Sequence, residues 1–425
     1  MAITLLLGGL LALLALGTPL TLAMALPSIA VISGFQLGSL NVIPSILYAS
    51  LNSFPLLAVP FFIAVGYLMT ESGMAGHLVD LATALIGRRV RASVGYTTVL
   101  ASVFLAGISG SSTADTAALT TALLPSLKRE GFRPSFAVAL TAVGGGIGLI
   151  IPPSIVMVIY GLVANVSIGR LFFAGILPGL VTSVFLAAVV WLEARKLGPV
   201  VDVDDGTRRI RVGPGLWGLG APVTILGGIY FGIVTPTESA AIAVAYVLIV
   251  GMLVYRRLTF SQIWDVMKRA AVLSSAIMVL TAAGALYAWV IIRLRVADVV
   301  IAAVGPLAEH PLLLVLVLNA LILVAGAFVE PIPLIYMTIP VFVPLLQRAG
   351  VDLVYFGVVY TINLAIAQVT PPVGANLFVA AGVAKMPIEE IVRGLPWLLL
   401  ALIAGLLVTI LVPGLSLLIP GVLYR

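Results

Sequence analysis

The sequence predicts an all-α polytopic membrane protein of about ten transmembrane helices. Two re-entrant helical hairpins and two broken helices are expected within it, set in inverted-topology repeats. Three observations carry that prediction. The 425-residue chain is 62% apolar and only 9% charged, whereas a soluble domain carries about 25% charged residues. Two broken stretches, each with one carboxylate, interrupt apolar segments: residues 107–115 and 326–333. The second follows the first at an offset of 219 residues, and other turn-forming residues keep that register.

Composition excludes several functions at once. A spanning helix needs about 20 apolar residues, so the spans consume the chain and leave no room for a soluble catalytic or nucleic-acid-binding domain. The net charge of +6 therefore does not point to nucleic acid. Its Lys and Arg residues sit in short loops, where they set orientation in the lipid bilayer. With no cysteine, and with His77 and His310 as the two histidines, disulfides, thiol chemistry and histidine-based sites drop out. The start, Met1-Ala-Ile-Thr-Leu, lacks the basic head of a signal peptide and reads as a retained span.

Taken in order, residues 1–54 are expected to form N-terminal scaffold helices, with apolar segments at 2–16 and 19–33 meeting at Gly17-Thr18-Pro19. Residues 55–200 form the first repeat: a scaffold helix, an arm bearing His77 and Asp80, a hairpin and a broken helix. Basic residues flank the hairpin on both sides, Arg88, Arg89 and Arg91 before it and Lys128 and Arg129 after it. Both ends therefore lie in the cytoplasm, and the break between them brings the tip near the midplane. The next helix is interrupted at Gly144–Gly148 and again at Pro152-Pro153, where two N–H donors are missing and the preceding residue leaves the α region.

Residues 201–260 supply a linker carrying Arg208, Arg209 and Arg211, then two scaffold helices joined at Thr235-Pro236-Thr237-Glu238. Arg256, Arg257, Lys268 and Arg269 bracket an amphipathic surface helix, ahead of a separate span at 271–291. Residues 261–425 repeat the plan with an arm, a hairpin at 311–346, a helix broken at Thr370-Pro371-Pro372-Val373-Gly374, and a last span at 395–420.

At the 219-residue offset Gly107 pairs with Gly326, Pro125 with Pro344, Arg129 with Arg348 and Gly131 with Gly350. Pro152-Pro153 pair with Pro371-Pro372, and Gly175 with Gly394. This is an internal duplication. Counting crossings from the Arg88–Arg91 loop makes the repeats inverted, and five of the 22 basic residues (Arg170, Arg293, Arg295, Arg348, Arg425) then fall outside. Inverted repeats with discontinuous helices meeting at the midplane are the plan of secondary transporters.

In that plan half-helix N-termini receive an anion, while freed carbonyls and hydroxyls take a cation. The first cation site would combine Ser109, Ser111, Ser112 and Thr113 with Gly144, Gly148 and Pro152. The second would combine Gly326 with Thr370, Pro371, Pro372 and Gly374. Oxygen donors with few fixed charges suit a monovalent metal ion such as Na+, at two or more positions, whereas calcium recruits several carboxylates. No organic cofactor is expected. Asp115 and Glu330 are the acids placed at membrane depth, where an ionisable residue marks function; Asn376, beside the second break, joins them as a site residue. The ordinary readings compete. Membrane Ser and Thr often bond back to their own helix, Glu238 fits a helix start, and Gly144–Gly148 lacks the lysine and strand of a phosphate loop.

Gly107-Ile-Ser-Gly-Ser-Ser-Thr-Ala-Asp115, Gly145–Ser154, Thr235-Pro-Thr-Glu238 and Thr370-Pro-Pro-Val-Gly374 together resemble the large membrane subunit of tripartite ATP-independent periplasmic (TRAP) transporters, of the ion transporter superfamily. The resemblance covers nearly the whole chain. It implies a sodium-driven, elevator-type importer of carboxylate- or sulfonate-bearing solutes in a bacterial or archaeal cytoplasmic membrane. It also implies two partners, a secreted periplasmic solute-binding protein and a small four-helix membrane subunit, the latter expected as a separate polypeptide. Sodium would lie at each hairpin tip with its Pro-Pro break. The small organic anion would lie between them near Ser109, Ser154 and Glu330, with Asp115 and Asn376 completing the substrate set. One departure stands out: Phe328-Val329-Glu330-Pro331 replaces the serines of the first hairpin, so the second cation site must lean on backbone carbonyls and Thr370. The alternatives are a binding-protein-independent sodium- or proton-coupled dicarboxylate carrier and, from another class, an intramembrane hydrolase using Asp115 and Glu330 as an acid/base pair.

Overall fold

The computed structural model describes residues 1–87, 90–197 and 212–424, with the side chains of 303–308 left aside. Arg88, Arg89, the Arg208–Arg211 linker and Arg425 lie outside the described residues. Those described are helical or turn, with no strand among them.

Helices α1 (Ala2–Ala15) and α2 (Leu20–Gly34) form a pair turned at Gly17, whose φ of +74 suits the missing side chain. At 1.5 Å per residue each is roughly 22 Å long, short of the ~30 Å hydrocarbon core, so neither is the full span expected. After α3 (Val42–Leu51), a tight turn leads into α4 (Ala58–Glu71). Gly73 and Gly87, at φ +76 and +82, bound the arm α5 (Met74–Ile86). The arm is amphipathic and buries Met74, Leu78, Leu81 and Ala82.

Then comes the first hairpin, α6 (Ser93–Ser109) and α7 (Ser112–Arg129), and the broken helix, α8 (Pro134–Gly146) and α9 (Ile155–Ala164), before α10 (Ile168–Ala194). Helices α11 (Val212–Tyr230) and α12 (Pro236–Ile249) follow. Thr235 and Glu238 form a full capping box on α12, so Glu238 is a helix start. The surface helix and the separate span expected after Arg256 are instead one 34-residue helix, α13 (Phe260–Arg293). Nothing between Thr259, its N-cap, and Arg293 breaks the helix: no proline intervenes, and the basic pair Lys268-Arg269 sits within its regular turns.

The second repeat supplies α14 (Val296–Ala308), the hairpin α15 (Pro311–Gly326) and α16 (Pro331–Arg348), and the broken helix α17 (Leu353–Ala367) and α18 (Ala375–Ala384). The short α19 (Ile388–Val392) leads to α20 (Pro396–Leu411) and α21 (Gly414–Leu423). The expected last span is thus two helices, bent by 57° where Pro413 cannot continue the ladder. Among the described residues six helices are long and apolar enough to cross a membrane, or seven if this bent pair is one span. Length alone counts one hairpin arm, α16, among the six, and passes over the half-helices.

The duplication is visible element by element. Both α7 and α16 have 18 residues and start 219 positions apart, and α9 and α18 have 10 each. Gly131 and Gly350 both take positive φ after the hairpins, and both Pro-Pro bonds are cis. The repeats also interlock, since α18 packs on α7 and α8 while α16 packs on α9. Tyr160 of α9 donates to the Leu353 carbonyl of α17 at 2.8 Å across the repeats, while within the second repeat Asn363 of α17 donates to the Asn319 carbonyl of α15 at 2.7 Å. Against this assembly stands a wall of α4, α12 and α13, in which α12 and α13 each pack on α4.

Candidate transport site

A cavity of about 560 Å³ opens where the two hairpin tips face α4 and α13. Its floor is Ser109–Ala114 of the first tip, Glu330–Ile332 at the start of α16, and Gln368 and Ala375 at the second break. Gly66 and Tyr67 of α4 and Leu273–Leu280 of α13 supply its wall. Among the lining residues Glu330 is the one charged side chain.

Local sequence explains the tip. Gly110 takes φ +59 between α6 and α7, a conformation that needs no side chain, and its carbonyl accepts from Ile155 N at 3.5 Å. Each tip is tied in this way to its own broken helix; in the second repeat Val373 N donates to the Ala327 carbonyl at 3.2 Å. Ser111 is the N-cap of α7, accepting from Ala114 N at 3.4 Å, and its hydroxyl lies 3.3 Å from that of Thr113. The Ser109 hydroxyl accepts from Ser111 N at 3.2 Å.

Asp115 lies one turn deeper. It is 2% exposed, and its Oδ2 has no hydrogen-bond partner among the described residues. A methyl group added to Gly148 would collide with that oxygen, so the glycine makes the space the carboxyl occupies. Gly145 is tighter still: a methyl there would collide with the Thr116 hydroxyl and lie 2.7 Å from the Ser112 carbonyl oxygen. Gly144 packs on Ser102 and Leu119. These glycines bring α8 onto α7, and the unpartnered carboxyl oxygen of Asp115 is of the hard oxygen type that could hold a cation. No group of three or more His, Asp or Glu that could hold a metal occurs among the described residues.

The other sequence-predicted residues lie apart from the cavity. Pro152 is buried in the first break, and Ser154, fully buried, caps α9 by accepting from Met157 N at 3.4 Å. A methyl on Gly326 would meet Ala367 at 2.7 Å, so this glycine serves close helix packing. Thr370 donates to the Ile366 carbonyl at 2.7 Å, bonding back to its own helix. Pro371 and Pro372 are exposed, and Gly374 is buried at the start of α18. Asn376 joins the repeats: fully buried, it donates to the Ala142 carbonyl at 3.2 Å, with its Oδ1 unpartnered. The cavity therefore gathers Ser109, Ser111, Ser112, Thr113 and Glu330, and leaves Asp115, Ser154 and Asn376 behind its floor.

Sequence reasoning missed Gln368. It is 7% exposed, lines the cavity and has an unpartnered Oε1. Its signal was a lone amide closing an apolar helix, two residues before Thr370.

Residues 7–415 match the family described as the tripartite ATP-independent periplasmic transporter, DctM component. The chain belongs to the DctM family. Members similar to it include the 2,3-diketo-L-gulonate TRAP transporter large permease protein YiaN of Escherichia coli, 36% identical, with 98% of this chain and 99% of that protein covered. The C4-dicarboxylate large permease DctM of Pseudomonas aeruginosa is also 36% identical, over 88% of each chain. The isethionate permease DctMQ of Oleidesulfovibrio alaskensis is 36% identical over 96% of this chain, which spans 65% of that longer protein. The fold is similar to that of the Alcanivorax borkumensis YdaH transporter, with TM-score 0.65, 17% identity and 88% of each chain covered. This DctM-family chain is thus a multi-pass membrane permease subunit and not an enzyme, which removes the hydrolase reading of Asp115 and Glu330.

Proposed function

We propose that this DctM-family protein is the large subunit of a sodium-coupled importer of a small organic anion. It works in the cytoplasmic membrane with a small membrane subunit and a secreted solute-binding protein. The observation that carries the reading is the cavity itself, in which tips from both repeats converge on one wall of α4 and α13. Sodium binds at the first tip, where Asp115 and the Ser109–Thr113 oxygens gather, and at the second break through backbone carbonyls. Its charge offsets the missing cationic side chain in a cavity that accepts an anion. The carboxylate or sulfonate then sits among Ser109, Ser112 and Gln368, opposite Glu330. The interlocked hairpins and half-helices move as one block along the wall, with α5 and α14 as links.

The test is uptake into proteoliposomes containing this chain, its small subunit and its binding protein. Labelled C4-dicarboxylates, 2,3-diketogulonate and isethionate would be offered, the cargo classes named for the relatives. Accumulation with an inward sodium gradient and none with choline is the expected result. Uptake driven by a pH gradient alone would replace sodium with protons. Undiminished uptake without the binding protein would favour the self-sufficient carrier.

A further inference from the structure

We propose that Lys268 and Arg269 form an anion-docking vestibule at the cytoplasmic mouth of the transport cavity, where the imported carboxylate or sulfonate pauses on release; this rests on the function proposed above. A second hollow of about 450 Å³ lies beside the central cavity, lined by Tyr67, Lys268, Arg269, Val272, Leu273 and Ala276. Tyr67, Leu273 and Ala276 line both spaces, so the two are neighbours along the same α4–α13 wall. Lys268 and Arg269 belong to the basic residues that the positive-inside rule assigns to the cytoplasm.

Charge gives the vestibule its direction. The central cavity is lined by one charged side chain, the acid Glu330, and by no Lys, Arg or His. An anion leaving along the wall therefore meets its first side-chain cations at Lys268 and Arg269, about one turn of α13 from Leu273 at the edge of the cavity. Both are held in place rather than free. Arg269 pairs with Glu71 at 3.0 Å and lies 5.5 Å from the centre of the Tyr67 ring, and Gln262 fixes Glu71 from the other side at 3.3 Å. Lys268 pairs with Asp265 at 3.1 Å and sits over Trp264 at 5.6 Å. Ion pairs this exposed contribute little to folding, so positioning of two cations at the mouth, not stability, is what the arrangement supplies. Lys268 and Arg269 line the hollow while their partners Asp265 and Glu71 do not, and a cleft lined by one sign of charge raises the local concentration of the opposite ion.

The chain has no cysteine, which makes a substrate-independent test direct. Ala276→Cys places one thiol in the stretch shared by both spaces. Its reaction with a sulfonate-bearing methanethiosulfonate is compared with that of the trimethylammonium analogue, added from the cytoplasmic side in phosphatidylcholine vesicles. With each rate divided by that reagent's rate against a free thiol in solution, the sulfonate reagent should react roughly tenfold faster, and the ratio should fall to about one when K268Q and R269Q are added, and return with K268R and R269K. Equal rates in the parent, or a ratio that survives K268Q/R269Q, overturns the proposal. A ratio erased by 30% phosphatidylglycerol would assign the two cations to lipid headgroups instead, and overturns it equally. In the transport assay K268Q/R269Q should slow uptake at low salt and matter less at high salt, where screening acts within a few ångströms. Failure of the unmodified protein to transport any anion would sink the proposed function while leaving the reagent ratio readable.

Discussion

The two halves of this molecule share a backbone and differ in chemistry. In the first repeat the break from Ile150 to Ser154 is buried throughout, and Ser109, Ser112 and Asp115 at the tip are each 5% exposed or less. In the second, Pro371, Pro372 and Val373 are exposed, as is Glu330, and Phe328 is 63% exposed. The first hairpin is also closed at its base: Glu130, in the turn after α7, accepts from the Ser93 hydroxyl at 3.1 Å and from Val94 N at 3.1 Å. Ala349 stands at that place in the second hairpin and can offer no such bond. Duplicated prolines and turn glycines keep the breaks where they were, while the side chains around them diverged. On this account the first repeat holds a preformed cation pocket, and the second presents an open face to substrate.

The comparison can be broken at several points. The largest effect is expected at Gly145. Its counterpart 219 residues on is Leu364, so the close α7–α8 approach belongs to the first repeat alone. Gly145→Val should cost about 3 kcal/mol or more and abolish a monodisperse peak on size-exclusion chromatography. Gly382 of α18 has open space around its α-carbon, and Gly382→Ala should be neutral or slightly stabilising in thermal unfolding.

Next come the two carboxylates. Asp115→Asn should remove most of the sodium-dependent stabilisation, which for a ligand at a hundred times its Kd is about 2.7 kcal/mol. Glu330→Gln should keep that stabilisation and change the apparent affinity for substrate in uptake assays. The opposite assignment would reverse the roles of the two repeats.

A smaller effect belongs to Glu130. Burial pushes its carboxyl up from the ordinary range, against hydrogen bonds from Val94 and Ser93 that lower it. A neutral acceptor should therefore serve nearly as well: Glu130→Gln should be mild, and Glu130→Ala should cost about 1 kcal/mol, the value of a lost helix cap. Thr370→Ala should matter least for stability, because the hydroxyl bonds back to its own helix. A loss of sodium response there would place a cation on Thr370 after all.

How much of this was legible depended on whether a feature lives in the backbone or in packing. Pro152-Pro153, Pro371-Pro372 and the glycines at 131 and 350 act through local φ/ψ limits, so sequence alone located both breaks and both hairpins. Continuity was harder. The basic pair at Lys268-Arg269 looked like a boundary, yet α13 runs through it, since charge sets position relative to the membrane surface and does not end a helix. The site was only partly visible. Serines at the tip were readable, whereas the split between cavity-lining Glu330 and the buried Asp115 and Asn376 depends on which helix covers them. Gly144, Gly148 and Gly326 read from sequence as cation-site residues; that they are also close contact points between helices is something no spacing encodes.

The most direct test of the asymmetry is thermal unfolding of the detergent-purified protein in sodium, potassium and choline chloride at equal ionic strength. It would be run for the parent, Asp115→Asn and Glu330→Gln. The account predicts a sodium-specific rise in the midpoint for the parent and for Glu330→Gln, and the loss of most of that rise in Asp115→Asn. A rise that survives Asp115→Asn and vanishes in Glu330→Gln would contradict it.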